Sequence, residues 1–177
     1  MKRGCTIKKL PLFIAMLVVS TFVFAQSGVK VGFHDFPWGT SIEAFKAKIG
    51  NPVHVDEFNG LQSLIYEDIQ VSGYPVFMLV YFSQNGLEGG TYYFHTFSLE
   101  ELRNCYISVQ AELVEQYGST YLFDEMQGPR GQREMRTYET SWNLPDGYIY
   151  LKVNTRNNEP VTLWYSSPAL TRRLRGS

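Results

Sequence analysis

The stretch PVFMLVYFSQNGLEGGTYYFH, Pro75 to His95, decides how the whole chain is read. Two runs rich in aromatic and β-branched residues flank Asn85-Gly86, the dipeptide that best suits a two-residue type I′ hairpin turn. A turn of that length pairs Gln84 with Leu87. Strand side chains alternate, so the pairing assigns faces. Val76, Met78, Val80 and Phe82 then share a face with Tyr93 and His95. Phe77, Leu79 and Tyr81 share the other with Tyr92 and Phe94.

A second hairpin is written in RTYETSWNL and YIYLKVN, separated by a Pro-Asp-Gly turn at 145–147. A three-residue loop would put Ile149, Leu151 and Val153 beside Glu139, Ser141 and Asn143, mixing apolar with polar. A two-residue Asp146-Gly147 loop pairs Leu144 with Ile149 and Trp142 with Leu151. It gathers Trp142, Leu144, Ile149, Leu151 and Val153 on one face, with Ser141, Asn143, Tyr148, Tyr150 and Lys152 opposite. The second register is the consistent one. In the final run, VTLWYSS, Val161, Leu163 and Tyr165 join the core face and Thr162, Trp164 and Ser166 the other.

Outward from the hairpins lie two helices with explicit punctuation. In FPWGTSIEAFKAKIGNP, Phe36 to Pro52, Thr40 and Glu43 have the spacing of a capping box, and Ile42, Phe45 and Ile49 line one face. Lys46 and Lys48 suit the carboxyl end of the dipole, Gly50 the left-handed cap, and Pro52 stops the helix. Trp38, just before the cap, is expected to pack down on the helix. The segment FSLEELRNCYISVQAELVEQYG, Phe97 to Gly118, repeats the plan with Ser98 and Glu101 as the box. Leu99, Leu102, Tyr106, Val109, Leu113 and Tyr117 form its stripe, and Gly118 ends a helix of about 19 residues. Every feature of the shorter helix is accounted for by folding rather than chemistry.

These elements predict an α+β domain: an antiparallel sheet with two helices packed on one face, in the order α-βββ-α-βββ, which suggests an internal duplication. Six strands about 4.8 Å apart make a sheet roughly 24 Å wide. Two helices about 10 Å across cover one face of it. The other face is expected to be open, carrying Tyr81, Tyr92, Tyr148, Tyr150, Lys152 and Trp164. Tyr and Trp have apolar bodies and polar edges, which suits recognition, although cross-strand aromatic pairs also stabilise sheets by themselves.

The chain begins with Lys2, Arg3, Lys8 and Lys9 and no acid, followed by the apolar run LPLFIAMLVVSTFVFA. A basic start, a 16-residue apolar stretch shorter than a bilayer span, and Ala25 behind Val23 predict a signal peptide over 1–25. A single exported domain over 26–170 and a basic, solvated tail over 171–177 are expected, with a periplasmic or secreted destination and no membrane span after cleavage. Without the leader the chain holds 12 basic and 17 acidic residues, net −5, which argues against nucleic acid and anionic lipid as partners. Cys5 leaves with the leader. Cys105 then stands alone as a small buried hydrophobe, unable to close an internal disulfide.

The search for chemistry yields no catalytic residues, no metal ligands and no cofactor motif. His34, His54 and His95 have no zinc-protease spacing, no nucleophile elbow occurs, and NGLEGG precedes neither a helix nor Lys-Ser/Thr. His34 and His54 are expected on the surface, and His95 at a strand end beside the core. Arg130, Arg133 and Arg136 in QGPRGQREMR are expected in a solvated loop.

The segment Phe36 to Pro52, with its WGTSIE core, resembles the opening helix motif of many small exported bacterial proteins of uncharacterised function. It is also distantly similar to small outer-membrane assembly lipoproteins and β-lactamase-inhibitor-like domains, which pair a G-(S/T)-x-x-(E/Q) helix with a following meander. Phe97 to Gly118 matches more loosely. The resemblance implies a protein-binding or envelope-scaffold role rather than catalysis, and it carries over no functional residue. No cysteine follows the apolar run, so lipid anchoring by that route is not expected. The expected work is non-catalytic binding of an envelope protein or ligand through the aromatic face. The alternatives are an envelope hydrolase that assembles acids with His34 or His95 in space, and a structural homodimer using the same face.

Overall fold

The computed structural model describes residues 31–96, 98–119, 122–127, 136–155 and 159–176. The leader over 1–25, Cys5, Arg130 and Arg133 lie outside the described residues.

A two-stranded ribbon, β1 (Gly32–Phe33) and β2 (Phe36–Pro37), leads into α1 (Ile42–Ile49). Four strands follow: β3 (His54–Phe58), β4 (Leu61–Val71), β5 (Tyr74–Ser83) and β6 (Gly86–Phe94). After α2 (Leu99–Tyr117) come β7 (Leu122–Gln127), β8 (Arg136–Leu144), β9 (Gly147–Asn154) and β10 (Val161–Ser166), and then α3 (Pro168–Arg175). The eight strands after the ribbon form one antiparallel sheet in the order β3-β4-β5-β6-β10-β9-β8-β7.

This overturns the expected α+β arrangement of six strands and two helices on one face. The molecule is mostly β, with an eight-stranded sheet, a separate two-stranded ribbon and three helices. Runs of four strands, not three, follow α1 and α2. The segment expected as a basic tail instead turns into α3: Ser167 accepts from the Leu170 amide, Pro168 occupies the first turn, and Leu170 is buried.

The helix punctuation is close to expectation. Ser98 accepts from the Glu101 amide, as a capping box requires. The cap of α1 is one residue later than read, because Ser41 accepts from the Ala44 amide while the Thr40 hydroxyl donates to the Pro37 carbonyl. Gly50 and Gly118 close α1 and α2 at φ 103° and 82°, conformations that favour glycine. The α2 stripe buries Leu102, Cys105, Tyr106, Val109 and Leu113, while Leu99 is left exposed. Cys105 is the buried hydrophobe expected, and burial pushes its thiol up to about 12.

The deciding hairpin differs in register from its sequence reading. Ser83 pairs with Gly86, so Gln84-Asn85 form the loop and the left-handed conformation falls on Gly86, at φ 92°. A bulge follows: Phe82 pairs with Leu87 and Tyr81 with Gly89, leaving Glu88 as the extra residue. One inserted residue reverses the facing of everything beyond it. Val76 therefore pairs with Phe94 and Met78 with Tyr92. In the other hairpin the loop is Pro145-Asp146, and Leu144 pairs with Gly147 and Trp142 with Ile149. That is a slip of two residues, which preserves every facing assigned from sequence.

The inner face carries the core. Phe45 of α1 packs on Phe82 and Tyr66, Tyr106 of α2 meets Tyr138 and Thr140, and Phe33 of the ribbon stacks on Tyr92 with ring centroids 4.6 Å apart. Phe33, Phe45, Phe82, Phe94 and Trp142 are each essentially fully buried. Each such side chain contributes roughly 1.5–3 kcal/mol relative to exposure. Trp38 is tied to the far hairpin rather than stapled to α1 alone: its Nε1 donates to the Asp146 carbonyl at 2.8 Å.

At Gly89-Gly90 both layers press against β6. A Cβ on Gly90 would lie 2.3 Å from the Phe33 ring on the inner face, and one on Gly89 would lie 2.5 Å from Leu170 of α3. Facings alternate, so α3 lies on the outer face, where no helix was expected.

Candidate functional site

The outer face is built from three cross-strand rows. One runs Phe77, Tyr93, Thr162, Lys152, Glu139. The next runs Leu79, Thr91, Trp164, Tyr150, Ser141, and the third runs Tyr81, Gly89, Ser166, Tyr148, Asn143. Of the six residues assigned to this face from sequence, Tyr81, Tyr148, Tyr150, Lys152 and Trp164 are on it and half-buried. Tyr92 is not. The Glu88 bulge turns it inward, where it is 4% exposed, and Tyr93 takes the outer position instead. The face is also less open than coverage by two helices implied, because α3 closes the end at Gly89 and Ser166, and the Ser166 and Thr171 hydroxyls bond each other.

What remains is an aromatic strip with one polar chain. Tyr148 and Tyr150 stack, with centroids 6.4 Å apart and planes at 14°. Lys152 Nζ lies 3.5 Å from Glu139, whose carboxylate also acts on the Tyr150 hydroxyl. Burial, with the Glu139 carboxylate beside it, holds Tyr150 well above the usual phenol range. The Trp164 indole nitrogen is buried, with no hydrogen-bond partner among the described residues.

A second feature lies on the inner side. A cleft of about 500 Å³ opens between the ribbon, the β4–β5 turn and α2. Its floor and walls include Tyr92, Leu163, Tyr165, Val109 and Tyr117, and its mouth carries Asp35 and Glu112. His34 reaches into it and shares a 2.9 Å hydrogen bond, through Nδ1, with the Tyr92 hydroxyl. The Ser72 hydroxyl donates to Glu112, joining the β4–β5 turn to α2.

The ribbon turn that presents His34 and Asp35 is unusual. Both residues are left-handed, at φ 53° and 65°, as the two central residues of a type I′ turn must be. Neither is glycine or asparagine, so the conformation costs on the order of 1 kcal/mol at each. Sequence reading missed this site for that reason. The turn lacks the glycine that marks such turns elsewhere in the chain, and two-residue strands show no alternation. His34, expected on the surface, is half-buried; His54 is exposed, as expected; His95, expected beside the core, is exposed. His34 is the histidine that lines the cleft, and its partner there is a phenol rather than a carboxylate. No cluster of three or more His, Cys, Asp or Glu side chains suited to a metal occurs among the described residues.

Burial lowers the His34 pKa, Asp35 opposes that shift, and Lys48 adds to it. The unfolded chain thus takes up this proton more readily than the folded one. The His34 contribution is fully present above the ordinary histidine value of about 6.5 and is lost as pH falls through it. Urea midpoints at pH 7.5 and 5.5 are expected to differ more for the parent than for His34→Asn, since Asn tolerates the left-handed turn. Equal differences would show that His34 does not couple to folding.

No family model and no curated protein matches this chain. Among solved structures, it is similar to an extracellular protein containing an SCP domain from Bacillus anthracis, at 14% identity and a TM-score of 0.44, over 77% of this chain and 46% of that one. A cysteine-rich secretory protein from Staphylococcus aureus gives 11% identity and a TM-score of 0.43, over 75% of this chain and 45% of that one. The chain spans less than half the length of either protein, and neither likeness is close enough to carry a functional argument. No helix among the described residues is long and apolar enough to cross a membrane.

Proposed function

We propose that the protein is an exported, non-catalytic binding protein of the cell envelope that docks a partner protein on the outer face of its sheet. The observation that carries this reading is the strip formed by Tyr148, Tyr150 and Trp164 on adjacent strands, with Tyr81 and Tyr93 beyond it and, among the described residues, α3 against its end. Aromatic side chains around a single ion pair have the composition of a protein interface core. Export follows from the basic start, the 16-residue apolar run and the small residue at Ala25. The resemblance of Phe36 to Pro52 to envelope-protein helix motifs points the same way.

The test is capture of partners from an envelope extract by the parent protein and by Tyr150→Ala/Trp164→Ala, identified by mass spectrometry. The double variant is expected to lose the specific partner, a drop of at least about tenfold in affinity for a central aromatic pair. Its near-ultraviolet circular dichroism is expected to keep the signature of the buried Trp142. If the variant captures the same partner equally well, the face is not the docking surface. If it unfolds, those rings are structural. A doubled mass in light scattering that falls to the single mass in the double variant would instead assign the strip to self-association.

A further inference from the structure

We infer that the inner cleft binds a small organic cation of the alkylammonium class, held by the Asp35 and Glu112 carboxylates at its mouth and by the tyrosine faces at its floor.

At about 500 Å³ the cleft lies within the size range of small-molecule sites. Its chemistry is one-sided. Among the described residues the lining contains Asp35 and Glu112 but no lysine or arginine. His34 is disfavoured as a cation by burial, so it adds no standing positive charge. Tyr92, Tyr117 and Tyr165 supply three phenol rings to the lining, one face of Tyr92 being stacked on Phe33, and the negative faces of such rings attract cations. The surrounding acids reinforce the sign of the field: Asp35 helps to raise Tyr92, Asp146 and Asp35 raise Tyr117, and Glu112 raises Tyr165, each after burial as the larger cause.

The backbone gives a reason for this arrangement. Placing His34 and Asp35 in consecutive left-handed conformations is unfavourable, and a glycine in the turn would relieve it. The turn instead aims an imidazole at the Tyr92 hydroxyl and puts a carboxylate at the rim. Both acids are exposed, so each acts by attraction at the rim and is sensitive to salt. The floor supplies the apolar and π contacts. An anion of the same size meets two carboxylates in the lining, while Lys48, over the Phe36 ring, is not among the lining residues.

The experiment is isothermal titration of the purified protein with n-butylammonium, with butyrate as the size-matched anion. Saturable uptake of n-butylammonium at low salt is expected, with none for butyrate. Asp35→Asn/Glu112→Gln is expected to weaken binding by about tenfold, since each exposed carboxylate contributes only a fraction of that. Asn tolerates the left-handed position and Gln the exposed helical one, so the fold is expected to survive. Glu112→Gln alone, off the strained turn, serves as the second variant and is expected to weaken binding by about threefold. Tyr150→Ala/Trp164→Ala, on the opposite face, is expected to bind n-butylammonium unchanged, which separates this inference from the docking surface. Equal binding of butyrate, absence of saturable n-butylammonium binding, or full affinity in both acid variants would overturn it.

Discussion

Replacing Trp142 with alanine is expected to remove about 3–5 kcal/mol of stability, a large share of the roughly 5–15 kcal/mol that holds an ordinary domain. Trp142 is fully buried in the last third of β8, on the inner face, pairing with Ile149. Its ring fills volume that no neighbour can recover, because Ile149, Leu151 and Val153 are fixed by the strands on which they sit. Its indole nitrogen also donates to the Gly118 carbonyl at 2.9 Å, satisfying one of the carbonyls left free where α2 ends. Trp142→Phe separates the two contributions. It keeps most of the volume and loses the hydrogen bond, for an expected cost of about 1–2 kcal/mol. Urea unfolding followed by far-ultraviolet circular dichroism reads both. A loss below about 1 kcal/mol in the alanine variant would mean that α2 and β8 are not packed as described.

The second large effect is expected at Gly90. A Cβ there would lie 2.3 Å from the Phe33 ring, which is completely buried and stacked on Tyr92. Gly90→Val must therefore expel Phe33, and with it the ribbon that carries His34 and Asp35. The expected loss is about 3 kcal/mol, combining overpacking with the lost burial of one phenylalanine. Gly90→Val/Phe33→Ala is expected to lose less than the sum of the two single variants, because the second change removes the obstacle. Additive losses would show that the ring does not occupy that space. The cleft provides a second readout: n-butylammonium uptake is expected to fall in Gly90→Val even at temperatures where the sheet stays folded.

Much of the sheet is legible in the sequence, and the failures have identifiable causes. Alternation in YIYLKVN fixes the facings of β9, and a slip of two residues in its hairpin leaves them intact. In β6 the same reasoning is defeated by one residue, Glu88, because a bulge changes parity while leaving composition unchanged. Tyr92 moves from the expected binding face to the core for that reason alone. β3 is not marked by apolar alternation, although Asn59-Gly60, left-handed at φ 52° and 70°, closes its hairpin with β4. The signal was present, but the strand ahead of it, HVDEF, is polar and lies at the sheet edge. α3 was obscured by charge: three arginines suggest a solvated tail, while the single Leu170 that docks it is invisible without knowing that Gly89 leaves room. The cleft could not be read at all. Its residues come from β1–β2, the β4–β5 turn, α2, β6 and β10, and no local pattern links them.

The position of β10 governs how the molecule can assemble. It comes last in chain order among the described strands, yet it lies in the middle of the sheet, joining β6 on one side to β9 on the other. Until residues 161–166 arrive, β3–β6 and β7–β9 are two unconnected pieces, each with a bare hydrogen-bonding edge open to stray pairing. The closing step bridges segments some seventy residues apart, a long-range pairing of the kind that slows folding. A chain kept extended during passage through a membrane, and released only when complete, would never have to wait in that half-zipped condition.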